Sequence, residues 1–221
     1  MEESERASSD VLERFLRYVQ VDTQSSDEHA DQVPSSTIQF DLARLLAEEL
    51  RGLGAEQVAV SENAYVTARI PASAGAEKRP ALGLIAHLDT TEVVSGFGVK
   101  PHIVHYEGGD LVSGVVDGAP VAIGPDKLPA LNSLVGQDLV CSDGSTLLGA
   151  DDKAGVAEIM ALVARLSAHP ELPHPALGIC FCPDEEIGHG AALLDIEGFG
   201  CTYAYTVDGG DVGGIEYENF N

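Results

Sequence analysis

The residues best suited to chemistry are acidic, with one histidine among them, and they fall into four short clusters. His87-Leu88-Asp89 follows the apolar run ALGLIA, Pro183-Asp184-Glu185-Glu186 follows LGICFC, and Asp208-Gly209-Gly210 follows TYAYTV. The fourth cluster, Asp151-Asp152, stands in LLGADDKAG, where an apolar pattern of helical spacing begins. Each has an ordinary reading on its own. Asp-Asp before a helix is a cap favoured by the helix dipole, Asp-Gly-Gly is a turn signal, Glu-Glu is a solvated turn, and one histidine after a strand is a structural residue. Together they point elsewhere. Carboxylates brought to one crevice repel one another unless a cation neutralises them. Imidazole and carboxylate are metal ligands, so the joint pattern predicts a metal centre, and this much negative charge suits two metals better than one.

The elements that must position these clusters can be read from periodicity. Ser8-Ser9-Asp10 reads as a cap, with Val11, Leu12, Phe15, Leu16 and Val19 following at helical spacing. Residues 23–35 read as a loop. A second helix is expected from about Ser36, with Ile38, Leu42, Leu45, Leu46 and Leu50 on one face and Gly52 and Gly54 at its end. Residues 58–60 and 65–70 read as a hairpin-like pair of strands. Residues 81–86, 177–182 and 203–207 are near-continuous apolar runs, the mark of strands buried on both faces. Residues 90–136, rich in Gly, Pro and Asp, read as an irregular excursion with short strands, followed by a further short strand at 139–141. A long helix is predicted from about Asp152 to Ser167, with Val156, Ile159, Met160, Val163 and Leu166 inward. Strands alternating with helices predict an α/β sandwich with helices on both faces. Ligands of such folds bind beyond the carboxyl ends of the strands, and the four clusters are expected at four equivalent places there, Asp151-Asp152 at a strand-to-helix junction reached through LVCSDGSTLLGA.

Composition narrows the partners. With 36 acidic against 12 basic residues the formal net charge is −24. Such a surface repels phosphate backbones, so nucleic acid is not an expected partner, and it attracts cations and positively charged substrate ends. No apolar run approaches the length of a membrane span, so no membrane partner is expected. The charged N-terminus lacks the apolar core of a signal peptide. The four cysteines, Cys141, Cys180, Cys182 and Cys201, show no C-x-x-C pairing. That usage reads as reduced and cytoplasmic. Calcium-loop, P-loop, nucleophile-elbow and dinucleotide-binding signatures are all missing, which sets those readings aside.

With these residues in view, the chain resembles the peptidase T family of tripeptide aminopeptidases, among the di-zinc exopeptidases related to carboxypeptidase G. The resemblance is carried by FLRYVQVDTQS (15–25), AHLDT (86–90), EGGDLV (107–112), TLLGADDKAGVAEIM (146–160), PDEEIGHGA (183–191), YTVDGG (205–210) and GIEYENFN (214–221). It implies a three-layer α/β/α sandwich with a mostly parallel mixed sheet. It implies His87 and Asp208 as ligands of a first zinc, Asp151 as the bridge between two zincs, and Glu186 as a ligand of the second. Asp89 would orient His87, and Glu185 would be the general base on a water bridging the metals. It further implies a cis bond between Asp151 and Asp152. The activity implied is release of the N-terminal residue from a tripeptide.

The resemblance also implies a missing part. Residues 1–212 match the N-terminal part of a catalytic domain, and residues 213–221 the start of a lid and dimerisation domain. A fragment is therefore expected, with homodimers only through the absent lid. The last histidine ligand of the second zinc has no counterpart here: His29, His102, His105, His169, His174 and His189 match no ligand position, and His189 is expected to face solvent. The second zinc site is expected to be incomplete and the activity of the chain alone doubtful. The competing readings are a related dipeptidase or N-acyl amide deacylase built on the same metal centre, and a metal-binding chain without catalysis.

Overall fold

The structure, a computed structural model, describes residues 3–210 and 213–216, including side chains except those of residues 3–8. Its centre is a five-stranded sheet made of β1 (Glu56–Val60), β2 (Val66–Ile70), β3 (Leu82–His87), β8 (Leu177–Cys182) and β9 (Tyr203–Thr206), in the order β1-β2-β8-β3-β9. The sheet is mixed. β1 and β2 pair antiparallel, as do β2 and β8, whereas β8, β3 and β9 run parallel. The parallel part is the part that matters for the site.

Side-chain alternation explains why the central strands are apolar throughout. Ile179 and Phe181 of β8, with Leu84 and Ala86 of β3, enter the main core, while Cys180 and Cys182 point into a smaller core on the other face. The main core is covered by three helices, α1 (Glu3–Tyr18), α2 (Gln39–Gly52) and α3 (Ala150–Ala168). Tyr18, Leu42, Leu46, Leu50, Val156 and Met160 are fully buried there. On the opposite face, among the described residues, the only helix is α4 (Ile196–Phe199). It contributes Phe199, which packs with Tyr65 and the two cysteines.

Helix ends follow the residues that form them. Gly54 in the left-handed region (φ 84°) stops α2. Its N–H reaches Arg51 O at 3.1 Å and the Ala55 N–H reaches Leu50 O at 3.0 Å, the paired bonds of a Schellman ending. The expected start of α1 is corrected. Ser8-Ser9-Asp10 lies inside the helix, and Asp10 pairs one turn on with Arg14 at 3.0 Å. The preceding Glu, Arg and Ala residues are good helix formers and extend the helix past the capping signal.

β9 differs from the expected third buried strand. It pairs with β3 alone among the described residues, and Tyr203 and Tyr205 are about half exposed. Apolar content marked it as a strand, but burial depends on neighbours, and it has one. The excursion between β3 and α3 holds two small antiparallel pairs. One joins β4 (His102–His105) to β7 (Asp138–Cys141), and the other joins β5 (Leu111–Val116) to β6 (Ala119–Ile123). Tyr106, Leu111, Leu131 and Cys141 form its own core. β7 therefore leads to LLGADDKAG from outside the central sheet, which corrects the expectation of four equivalent strand ends: three clusters leave the central sheet and the fourth arrives from this excursion. The segment GIEYENFN lies mostly outside the described residues.

Candidate metal centre

β3, β8 and β9 run parallel, so the chain leaves all three at the same edge of the sheet. That delivers His87 as the last residue of β3, Asp184-Glu185-Glu186 after β8, and Asp208 after β9. The fourth cluster arrives with the first turn of α3. The backbone of Asp151 and Asp152 is non-helical, and Asp152 caps the regular part of α3 that follows: its Oδ1 accepts the Gly155 N–H at 3.2 Å, and its Oδ2 accepts the His87 N–H at 3.1 Å. The Asp151–Asp152 peptide is cis, in line with the expectation. Gly155 has no room for a side chain, since a Cβ would collide with the carbonyl oxygen of Val207 and with the Asp152 carboxylate. The helix and the strand exit bearing Asp208 are thus in backbone contact.

His87 is nearly enclosed. Its Nδ1 lies 3.0 Å from the Asp89 carbonyl oxygen and 3.3 Å from Asp89 Oδ1. A proton held on Nδ1 by these acceptors leaves Nε2 free to act as a ligand. Nε2 faces Asp151 Oδ1 at 2.8 Å, with Glu185 Oε2 and Asp208 Oδ2 each at 3.8 Å. Asp89 is wholly buried and works in two directions. Beside its contact with His87, its carboxylate accepts the backbone N–H groups of Glu185 at 2.9 Å and Glu186 at 3.2 Å.

Ligand atoms of His87, Asp151 and Asp208 lie within 4.8 Å of one another, one imidazole and two carboxylates around a common point. This donor set fits a zinc-type ion, and so does the electrostatics. Burial pulls the His87 pKa down, but the hydrogen bond and charge of Asp89, with the charge of Asp152 and the hydrogen bond to Asp151, push it up to about 10. The surrounding carboxylates favour positive charge at the imidazole, carried by a proton or by a metal. Glu185 and Glu186 are both raised above ordinary carboxylates, chiefly by burial and then by neighbouring carboxylates.

The structure therefore gathers His87, Asp89, Asp151, Glu185 and Asp208. Glu186 enters through its backbone and senses the charges of Asp151 and His87, while its carboxylate lies outside the three-residue group. His189 departs from expectation: it is half-buried, and its Nδ1 is enclosed with no partner among the described groups. Sequence reasoning missed three supports. Asp184 is fully buried. Lys153 is buried too, donating to Val21 O at 2.7 Å, and burial pushes its pKa down to about 8. Asp152 holds the His87 backbone as well as capping α3. Each is a charged residue inside, and no pattern of spacing distinguishes it from a solvated one.

No protein-family model matches the chain. Curated relatives do. Peptidase T of Aliivibrio fischeri is 48% identical over 212 residues, and that of Alkaliphilus oremlandii 46% identical over 213. The chain is a homologue of peptidase T. Each alignment takes 96% of this chain and 51% of the relative, so the chain spans about half the length of the peptidase T relatives it matches. Among solved structures, the aminopeptidase PepT from Bacillus cereus superposes with a TM-score of 0.61 at 24% identity, over 91% of this chain and 43% of that one. A tripeptidase from Staphylococcus aureus gives 0.61 at 23%, over 92% and 44%. These two likenesses establish the fold. Among the described residues no helix is long and apolar enough to cross a membrane.

Proposed function

We propose that this chain carries the metal centre of a zinc-dependent aminopeptidase that releases the N-terminal residue from tripeptides. The observation that supports it best is the convergence of His87, Asp151 and Asp208 on one point with Glu185 beside it, in a chain 46–48% identical to peptidase T. His87 and Asp208 would hold a first zinc, Asp151 would be shared between two, and Glu186 would serve the second. Bound metal supplies Lewis acidity, polarising a scissile carbonyl and making water a stronger acid. Asp89 fixes the ring of His87 so that Nε2 faces the ligands. Glu185 takes a proton from the attacking water on a carboxylate oxygen and gives it to the leaving amine. Its raised pKa suits a group that must both accept and release that proton. The acidic surroundings suit the free ammonium of a peptide substrate. All four cysteines are free thiols, which agrees with a cytoplasmic setting.

The test is hydrolysis of a tripeptide series with zinc or cobalt added, for this chain and for a version extended to the length of its relatives. Turnover in the extended protein is expected to vanish in Glu185→Ala with metal content kept. Full turnover in that variant would remove the general-base assignment. Metal analysis of the chain itself should find about one tightly held zinc, since three protein ligands are the usual minimum. Two tight zincs would contradict the proposed incompleteness of the second site.

A further inference from the structure

Asp184 sits directly before Glu185 and is wholly buried, with its carboxylate bonded to Ser35 and Gln39. Its backbone lies in the left-handed region (φ 56°), which a residue other than glycine adopts only where its surroundings hold it. The carboxylate accepts three hydrogen bonds. The Ser35 N–H donates to Oδ2 at 2.7 Å, while the Ser35 hydroxyl and Gln39 Nε2 both donate to Oδ1 at 2.6 Å. Gln39 opens α2, and among the described residues its amide oxygen has no hydrogen-bond partner, while its Nε2 is held by Asp184. The Ser35 hydroxyl in turn accepts the Ser26 N–H at 2.9 Å.

We infer that Asp184 is a positioning residue for the Glu185–Glu186 turn, a buried clamp that joins this turn to the first residue of α2. The inference deepens the function proposed above, because it names what aims the proposed base. The turn is held from two sides. Asp89 binds its N–H groups from the histidine side, and Ser35 and Gln39 bind Asp184 from the helix side. The His189 N–H closes the turn on Asp184 O at 2.8 Å, and Gly188 N–H reaches Glu185 O at 2.7 Å. A charged acceptor is the strongest partner these donors can have. An enclosed carboxylate that lost them would bear the full cost of desolvation. The arrangement is therefore rigid in one place and leaves the Glu185 side chain, half exposed, free only beyond its Cα.

The test compares the 221-residue chain with Ser35→Ala, Asp184→Asn and the double variant Asp184→Asn/Gln39→Glu, which moves the charge across the same hydrogen bond. Amide hydrogen exchange is read at Glu185 and Glu186 and, as a reference, in the α2 core at Leu46. Exchange at the two glutamates is expected to speed up roughly tenfold in Asp184→Asn, and by less in Ser35→Ala, with Leu46 unchanged. The double variant should recover most of the loss. Unchanged exchange at the glutamates in both single variants, or an equal rise at Leu46, would overturn the inference. Zinc competition against a chromophoric chelator is run in parallel. The His87–Asp151–Asp208 ligands lie outside the clamp, so affinity should hold in every variant. A native chain that binds no zinc would sink the metal reading and leave the exchange result to judge the clamp.

Discussion

His87 and Asp89 are almost wholly enclosed, whereas Asp151 and Glu185 keep 72% and 50% of their side-chain surface and Asp208 keeps 35%. The enclosed residues have protein partners for their polar atoms. Nδ1 of His87 has Asp89, its backbone N–H has Asp152, and the two oxygens of Asp89 have the N–H groups of Glu185 and Glu186. Such pairing is the condition for burying polar groups at all. The open carboxylates have few protein donors and are met mainly by one another and by the imidazole edge. The difference teaches how the centre is assembled. One side is built by folding, and the other stays open, where the proposed metal would order it.

Several substitutions would break or sharpen this contrast. The largest effect is expected from His87→Ala, which should lower zinc affinity by at least about a hundredfold in chelator competition, because it takes one of the three proposed protein ligands. Affinity equal to that of the native chain would remove His87 from the centre. Asp89→Asn touches no proposed ligand atom directly yet should cost roughly 10–100-fold, the usual weight of a group that orients a ligating histidine. A larger effect than that of His87→Ala would reverse the ranking of the two. Gly155→Ala is expected to lower unfolding stability by about 1–3 kcal/mol in a denaturant titration, since the methyl meets backbone at Val207 that cannot swing away. Wild-type stability would mean that α3 and the β9 exit are less tightly apposed than described. On the open side, Glu185→Gln should leave zinc affinity within about threefold, as the residue is proposed to move a proton rather than to bind metal.

The smallest response is expected at Cys180. Burial pushes its thiol up to about 12, so at pH 8 only about one molecule in ten thousand carries the thiolate. The sign is fixed by the direction of the shift. A raised pKa keeps the thiol protonated, and reactivity grows only as pH climbs toward that value. A disulfide reagent at pH 8 should therefore leave Cys180 untouched in the native chain and label it after denaturation. Rapid native labelling would show that the thin cover on the α4 face opens readily.

Much of the centre is legible in the sequence. The ends of LGLIAH and LGICFC already placed His87 and Glu185 beyond buried parallel strands, and the DD opening α3 marked the fourth cluster. What escaped were the residues whose role depends on partners distant in sequence. Asp184 meets Ser35 and Gln39 across about 145 residues of chain, and Lys153 meets Val21 across 132. The burial of β9 was misjudged for the same reason, since an apolar strand is enclosed only if another element covers it. The cap at Ser8-Ser9-Asp10 failed for a local reason: strong helix formers upstream outweighed a capping signal.

By itself the sequence determined the order of the main strands and helices outside residues 90–136, their apolar faces and the four polar clusters, because hydrophobic periodicity and turn chemistry act over a few residues. Only the tertiary structure decided which carboxylates stand enclosed with donors and which stand in water. That division depends on the edge of the parallel strands, on the backbone contact at Gly155 and on the donors of α2, all of them separated in sequence and joined by packing.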